Sequence, residues 1–295
     1  MFIVTLIASE HLSQGDISAA ADRIAAAGAS PGAIAMIDEG KAADLSFSGD
    51  PAAVRGALEH AMTGGDVIVQ PLAGREKKLI VADMDSTMIT VECIDELADY
   101  AGLRAEISEV TERAMRGELD FEMALDARVA LLRGLDESVL ARCYDERVRI
   151  MPGARALVRT MRARGATAWL VSGGFTAFAD RVAEAIGFDR AISNRLGIAG
   201  GALDGSVHRP IVGAETKRQA LGEALALTGH ERALSLAVGD GANDIPMIRE
   251  AGLGVAYHAK PATAAAAAAR VQHGDLSVLL YAQGIARADW ASDAA

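Results

Sequence analysis

The alternation of apolar and polar positions divides the chain into two regimes. Over residues 1–72, short apolar runs and amphipathic stretches follow in the order strand, helix, strand, strand, helix, strand. The first strand is Phe2-Ile3-Val4-Thr5-Leu6-Ile7, and apolar positions at Ile17, Ala20, Ala21 and Ile24 mark a helix from about Asp16. Residues 33–37 and 44–47 read as a hairpin around Glu39-Gly40-Lys41. Asp50-Pro51 opens a second helix, with proline in the first turn where its missing N–H has no partner to lose, and Val67-Ile68-Val69 closes the unit. This order predicts a split βαβ, ferredoxin-like α+β unit, one sheet with two helices on one face.

From Lys77 onward the apolar runs become continuous and alternate with helical stretches. Leu79-Ile80-Val81-Ala82, Ala168-Trp169-Leu170-Val171 and Leu236-Ala237-Val238 predict an α/β core with a Rossmann-like, doubly wound parallel sheet. Residues 92–149 are helical throughout, and breaks near Gly102, Arg116-Gly117 and Gly134-Leu135 predict four short helices, a bundle inserted as a cap after the first core strand. Residues 197–207 read as a Gly-rich hairpin, and 264–269 as a strong helix former. The expected organisation is an N-terminal domain at 1–72, a core at 77–91 and 150–284, a cap at 92–149, and a tail at 285–295 with little to hold it.

Composition narrows the classes of function. Half the residues are hydrophobic (51%) and aromatics reach only 4%, which rules against disorder and fits a helix-rich globular protein. A net charge of -11, with no basic block to reverse it locally, opposes binding to nucleic acid or anionic membranes. No apolar run approaches the roughly 18 residues that span a bilayer, and no basic segment precedes the first strand, so a soluble, cytoplasmic protein is expected. Cys93 and Cys143 have neither metal-knuckle spacing nor disulfide density and read as free buried thiols. His208, His258 and His273 show no ligand spacing, and neither GxxxxGK[ST] nor GxGxxG occurs.

The chemistry gathers where the core strands stop. The three runs end in Asp83-Met84-Asp85-Ser86-Thr87, in Ser172-Gly173-Gly174, and in Gly239-Asp240-Gly241-Ala242-Asn243-Asp244. In an open parallel sheet the carboxyl ends of the strands share one crevice, so these clusters are expected to meet, with Lys217 a candidate to join them. Four carboxylates in one crevice repel unless a cation sits among them, and oxygen-only ligands with a phosphate substrate suit Mg2+. Asp83 and Asp85, two apart at a strand end, can face the same side, one attacking phosphorus and the other serving as acid. The Ser172 hydroxyl and the glycine amides can hold phosphate oxygens while Lys217 neutralises developing charge.

The set DMDST, SGG, a following lysine and GDGAND closely resembles the haloacid-dehalogenase-like phosphatases. The resemblance implies Asp83 as nucleophile and Asp85 as general acid and later base. It also implies Asp83, Asp240 and the Asp85 backbone carbonyl as Mg2+ ligands, with Asp244 in support. Within that superfamily the chain resembles the phosphoserine phosphatases, because the bundle begins Val91-Glu92-Cys93-Ile94-Asp95-Glu96-Leu97-Ala98 and contains Phe121-Glu122-Met123-Ala124-Leu125-Asp126-Ala127-Arg128-Val129. That match implies Glu92 and Arg128 on the amino and carboxylate groups of the serine, Met115 and Phe121 closing the apolar side, and Asn243 near the phosphate. A bidentate arginine suits such a carboxylate. The resemblance covers about residues 77–284, and the N-terminal unit is similar in element order to ACT-like regulatory domains.

The resemblance implies hydrolysis of phosphoserine, the last step of serine synthesis. Alternatives are another small phosphomonoester, transfer to an acceptor such as homoserine, or an amino-acid sensor with a phosphatase core as output. Glu92 and Arg128 can also be a structural ion pair, Lys217 a solvated first-turn lysine, and Met115 and Phe121 plain bundle core. A homodimer is left open.

Overall fold

The computed structural model describes residues 1–59, 61–116 and 118–291. Strand β1 (Phe2–Ala8) points Val4 and Leu6 to one side and Thr5 and Ile7 to the other. Helix α1 (Gln14–Ala26) starts at Ser13, whose hydroxyl accepts the Asp16 N–H while the Asp16 carboxylate accepts the Ser13 N–H. Strands β2 (Ser30–Asp38) and β3 (Ala42–Ser48) form the expected hairpin. Helix α2 (Pro51–Leu58) is capped by Asp50 and followed by β4 (Gly65–Pro71). The sheet order is β2-β3-β1-β4, antiparallel throughout, the ferredoxin-like arrangement that the element order predicts. Ile17, Ile24, Val54 and Leu58 on the helices bury against Val4, Leu6, Leu45 and Phe47.

The second unit is a six-stranded parallel sheet. It begins with β5 (Leu79–Ala82). The cap follows as α3 (Cys93–Ala101), α4 (Arg104–Met115), α5 (Phe121–Leu131) and α6 (Ser138–Arg147), with Gly102 ending α3 in the left-handed conformation at φ 69°. The chain returns through α7 (Ala154–Ala163), β6 (Thr167–Phe175), α8 (Thr176–Ile186) and β7 (Arg190–Asn194). A hairpin of β8 (Leu196–Ala199) and β9 (Ala202–Val207) precedes α9 (Ala214–Thr228) and β10 (Ser235–Gly239). The chain continues through α10 (Ile245–Glu250), β11 (Leu253–Tyr257), α11 (Pro261–Ala266), β12 (Ala269–Val271) and α12 (Val278–Ala282). The strand order β12-β11-β10-β5-β6-β7 places β5 where the winding changes direction, between β10 and β6. Ile80 and Ala82 bury with α7, α8 and α12, whereas Leu79 and Val81 bury with α9 and α10, so both faces are covered.

Two expectations are corrected. The alanine run does not continue as helix: α11 stops at Ala266 and Ala269 already pairs with Val255, because a parallel rung beside β11 and burial of Ala267 override helix propensity. The end of the chain is not loose up to Ala291. Ile285 is buried, Trp290 packs on Tyr281 with ring centroids 5.1 Å apart, and the Ala291 N–H donates to the Thr160 hydroxyl. The core sheet also has β7, β11 and β12, whose short sequences gave no separate signal.

The antiparallel sheet is held to the parallel unit by its second face. Ile7, Ala42 and Ile68 join the main apolar cluster. The buried Asp66 carboxylate accepts the N–H groups of Gln272, His273 and Gly274, and the Gln70 amide donates to the Ala282 carbonyl. Arg75 pairs with Asp44, which also accepts the Thr5 hydroxyl. The cap is tied down at one end. Gly134 and Glu137 donate to the Leu203 and Gly201 carbonyls, and Leu203 donates to Leu135, which fixes the α5–α6 turn to the β8–β9 hairpin.

Candidate active site

Asp83 follows β5 and Asp240 follows β10 at one edge of the sheet, whereas Ser172-Gly173-Gly174 do not end their strand as the apolar run suggested but lie inside β6, near its carboxyl end. The Asp83 N–H donates to the Val238 carbonyl of β10, and Asp83 Oδ1 accepts the Met84 N–H at 2.7 Å. Lys217, on α9, places Nζ 2.6 Å from Asp83 Oδ1 and 2.7 Å from Asp244 Oδ1. Lys217 and Asp244 are wholly buried, so the lysine stands behind Asp83 and is not a solvated first-turn residue. One oxygen from each of Asp83, Asp240 and Asp244 lies within 4.8 Å of the others. Thr87, buried under the loop, directs its hydroxyl to Asp240 Oδ1 at 3.3 Å.

Asp85 points into a cavity of about 270 Å³. Its Oδ1 accepts the Cys93 N–H at 3.4 Å. Gly174 faces it: a Cβ there would lie 2.9 Å from Asp85 Oδ2 and 3.0 Å from Ser172 Oγ, closer than such atoms pack, so only glycine lets these groups approach. The Gly174 N–H donates to Ser172 Oγ at 2.8 Å.

Of the residues expected at the site, Asp83, Asp85 and Asp240 line this cavity from the core, as do Ser172, Gly173 and Asn243. Glu92, Phe121 and Arg128 line it from the cap. Met115 ends α4, and its side chain lies outside the described residues. Glu92 and Arg128 have no ion pair with each other among the described residues. Glu92 Oε1 accepts the Ser86 hydroxyl at 2.7 Å, and Arg128 Nε donates to the Ala124 carbonyl of its own helix. Sequence reasoning missed Asp95, Thr111 and Lys260 on the cavity wall, and Ser86 and Thr87 as partners of Glu92 and Asp240. For the last two the signal was present, since both stand inside the DMDST run.

The electrostatics follow from burial. Burial first, then the neighbouring Glu92, pushes the Asp85 carboxyl up to about 7. Burial and Asp244 raise Asp240 to about 6, and the same two causes raise Asp83. Burial alone would lower the Lys217 ammonium, but Asp244 and Asp83 hold it above its ordinary range. One lysine cannot neutralise three carboxylates in so small a space, and the donors are all oxygens. The Asp83, Asp240 and Asp244 cluster therefore fits a hard divalent cation.

Residues 80–249, more than half of the chain, match the haloacid dehalogenase-like hydrolase family. A phosphoserine phosphatase of Albidiferax ferrireducens is 47% identical over 215 residues, covering 71% of this chain and 91% of that protein. The chain belongs to the phosphoserine phosphatase family of haloacid dehalogenase-like hydrolases. A phosphoserine phosphatase of Streptomyces coelicolor is 46% identical over 78% of this chain, which spans only 57% of that relative. Among solved structures, a HAD family hydrolase from Salmonella enterica serovar Typhi aligns over 95% of this chain and 98% of its own, with a TM-score of 0.83 and 27% identity. A probable phosphoserine phosphatase from Vibrio cholerae aligns over 98% of this chain and 87% of its own, with a TM-score of 0.78 and 34% identity. Phosphatases of the haloacid dehalogenase-like kind are generally metal-dependent, in keeping with the acidic cluster. Among the described residues no helix is long and apolar enough to cross a membrane.

Proposed function

We propose that the chain hydrolyses O-phospho-L-serine to L-serine and phosphate through an aspartyl-phosphate on Asp83, the serine-releasing step of serine synthesis. One observation carries the reading: the Asp83 and Asp85 pair and the Glu92 and Arg128 pair line a single cavity from opposite units of the fold. One pair is suited to a phosphate ester, the other to an amino acid zwitterion.

In this mechanism Asp83, its Oδ1 held by Lys217 and the Met84 N–H, attacks phosphorus with its other oxygen, Oδ2. Asp85, raised to about 7, is protonated often enough at neutral pH to give its proton to the departing serine oxygen. It then takes a proton from the water that cleaves the aspartyl-phosphate. The Ser172 hydroxyl, accepting from Gly174, keeps its own proton for a phosphate oxygen. Glu92 faces the substrate ammonium and Arg128 its carboxylate. Asp83, Asp240 and the Asp85 carbonyl would hold Mg2+, with Asp244 supporting through Lys217. The ion would neutralise charge between the carboxylates and the phosphate.

The division into an N-terminal domain at 1–72, a core at 77–91 and 150–284, and a cap at 92–149 belongs to the same proposal. The N-terminal unit serves assembly or regulation.

The test is a panel of phosphomonoesters, with and without Mg2+ and with homoserine as an added acceptor. Phosphoserine should be turned over fastest, in a Mg2+-dependent manner, with phosphate released to water. A faster ester, or phosphohomoserine as the main product, would replace the substrate or the acceptor in this reading.

A further inference from the structure

Strand β6 runs in register with β7 at Trp169, Leu170 and Val171, loses it, and regains it at Phe175 opposite Asn194. The bulged residues are Ser172, Gly173 and Gly174, which face the cavity and have left their rungs of the ladder. A bulge without partners would be free to rock, and a hydroxyl meant for a phosphate oxygen needs a fixed place.

Asn194 supplies the missing partner. Its side chain is buried, with Nδ2 donating to the Gly173 carbonyl at 2.8 Å and to the Val212 carbonyl at 3.2 Å. Its Oδ1 accepts the Val212 N–H at 2.7 Å. The amide thus pairs both ways with Val212, as a strand backbone would, and grips the bulge with its second proton. Holding the Gly173 oxygen fixes the plane of the Gly173–Gly174 peptide, whose N–H donates to Ser172 Oγ. On the other side, Val212 leads into Gly213, whose carbonyl accepts the Lys217 N–H in the first turn of α9.

We infer that Asn194 is a positioning residue that sets the Ser172 hydroxyl relative to Lys217, and through Lys217 relative to Asp83. The inference rests on the phosphatase reading given above. It concerns only the phosphate end of the cavity, because Glu92 and Arg128 belong to the cap and make no hydrogen bond with Asn194, Gly173 or Val212.

The isosteric N194D removes both donated bonds and sets a carboxylate oxygen against two carbonyls. N194S keeps one short donor and gives a second variant if N194D folds poorly. Both should lower kcat on phosphoserine by about 10- to 100-fold, the scale of a misplaced catalytic group. Inhibition by inorganic phosphate should weaken in step, while inhibition by L-serine stays within about twofold. In a cycle with S172A, the double variant N194S/S172A should be little worse than S172A alone, since both act through one hydroxyl. Equal loss at the phosphate and serine ends, additive losses in the cycle, or wild-type kcat in either variant would overturn the inference. Wild-type protein assayed alongside separates the two claims: absence of phosphoserine turnover there refutes the phosphatase reading, and the phosphate affinities still decide the role of Asn194.

Discussion

Asp83 and Lys217 form a contact whose two halves are separable by a single atom change. Asp83→Asn keeps the shape and the buried Lys217–Asp244 pair but replaces one carboxylate oxygen, either the one proposed to attack or its lysine-bound partner, with an amide nitrogen. Turnover should fall by at least about 10³-fold with unchanged circular dichroism. A variant that keeps a tenth of the activity would remove Asp83 as nucleophile. Arg128→Ala acts at the other end of the cavity. If Arg128 holds the substrate carboxylate as proposed, losing that charged donor costs about 1.5–3 kcal/mol, so kcat/KM for phosphoserine should drop roughly 10- to 150-fold. Phosphoethanolamine, which lacks the carboxylate, should lose much less, and equal loss on both esters would make Arg128 a support of the bundle. What was legible at this scale was that Asp83, Asp85, Ser172, Gly173, Asp240 and Asn243 would meet in one cavity, because a buried run that gives way to a polar cluster announces a crevice. Asn194 was not legible. It closes a strand of mixed polarity, and its partners Gly173 and Val212 are 21 and 18 residues away with no spacing rule to link them.

The cap helices were read from their breaks, since Gly102 and the Gly134-Leu135 turn interrupt the helical pattern where the structure ends a helix. Their unequal attachment was hidden, because it depends on main-chain bonds to the β8–β9 hairpin, and backbone groups carry no sequence mark. Beyond the turn fixed by Leu203 and Gly201, α5 is also held through Arg209, which pairs with Glu122 and Asp126. Among the described residues, helices α3 and α4 lack such ties to the hairpin. Adding serine with a non-hydrolysable phosphate mimic should therefore slow amide exchange mainly in residues 93–114, with the α5–α6 turn already protected beforehand. Uniform slowing across the whole insertion would mean that it moves as one body, and no slowing would mean a site that does not close. The misread alanine run has a related cause: helix propensity is local, and the pull of a neighbouring parallel strand is not.

At the scale of the molecule, every group placed at the site lies at or after Asp83, so a fragment beginning at Gly74 should retain turnover. It should not retain full stability. The fragment bares the Gln272, His273 and Gly274 amides that Asp66 satisfies and leaves Arg75 without Asp44. Its melting temperature should fall by several degrees, and Asp66→Ala in the full chain, which leaves those amides without their acceptor, should cost about 1–3 kcal/mol in denaturant unfolding. An unchanged melting temperature in both would show that the two units are merely adjacent. The element order of the N-terminal unit was plain from its periodicity, but its docking was not, since the acceptor and its donors lie far apart in sequence. That separation has a consequence in time. Asp66 and Gln70 wait for partners 206 and 212 residues downstream. At about 5–20 residues per second of synthesis, they emerge roughly 10–40 s before the groups that complete them. The antiparallel unit is therefore made before the groups that seal it, and during that interval the face bearing Ile7, Ala42 and Ile68 is open to water or to a chaperone.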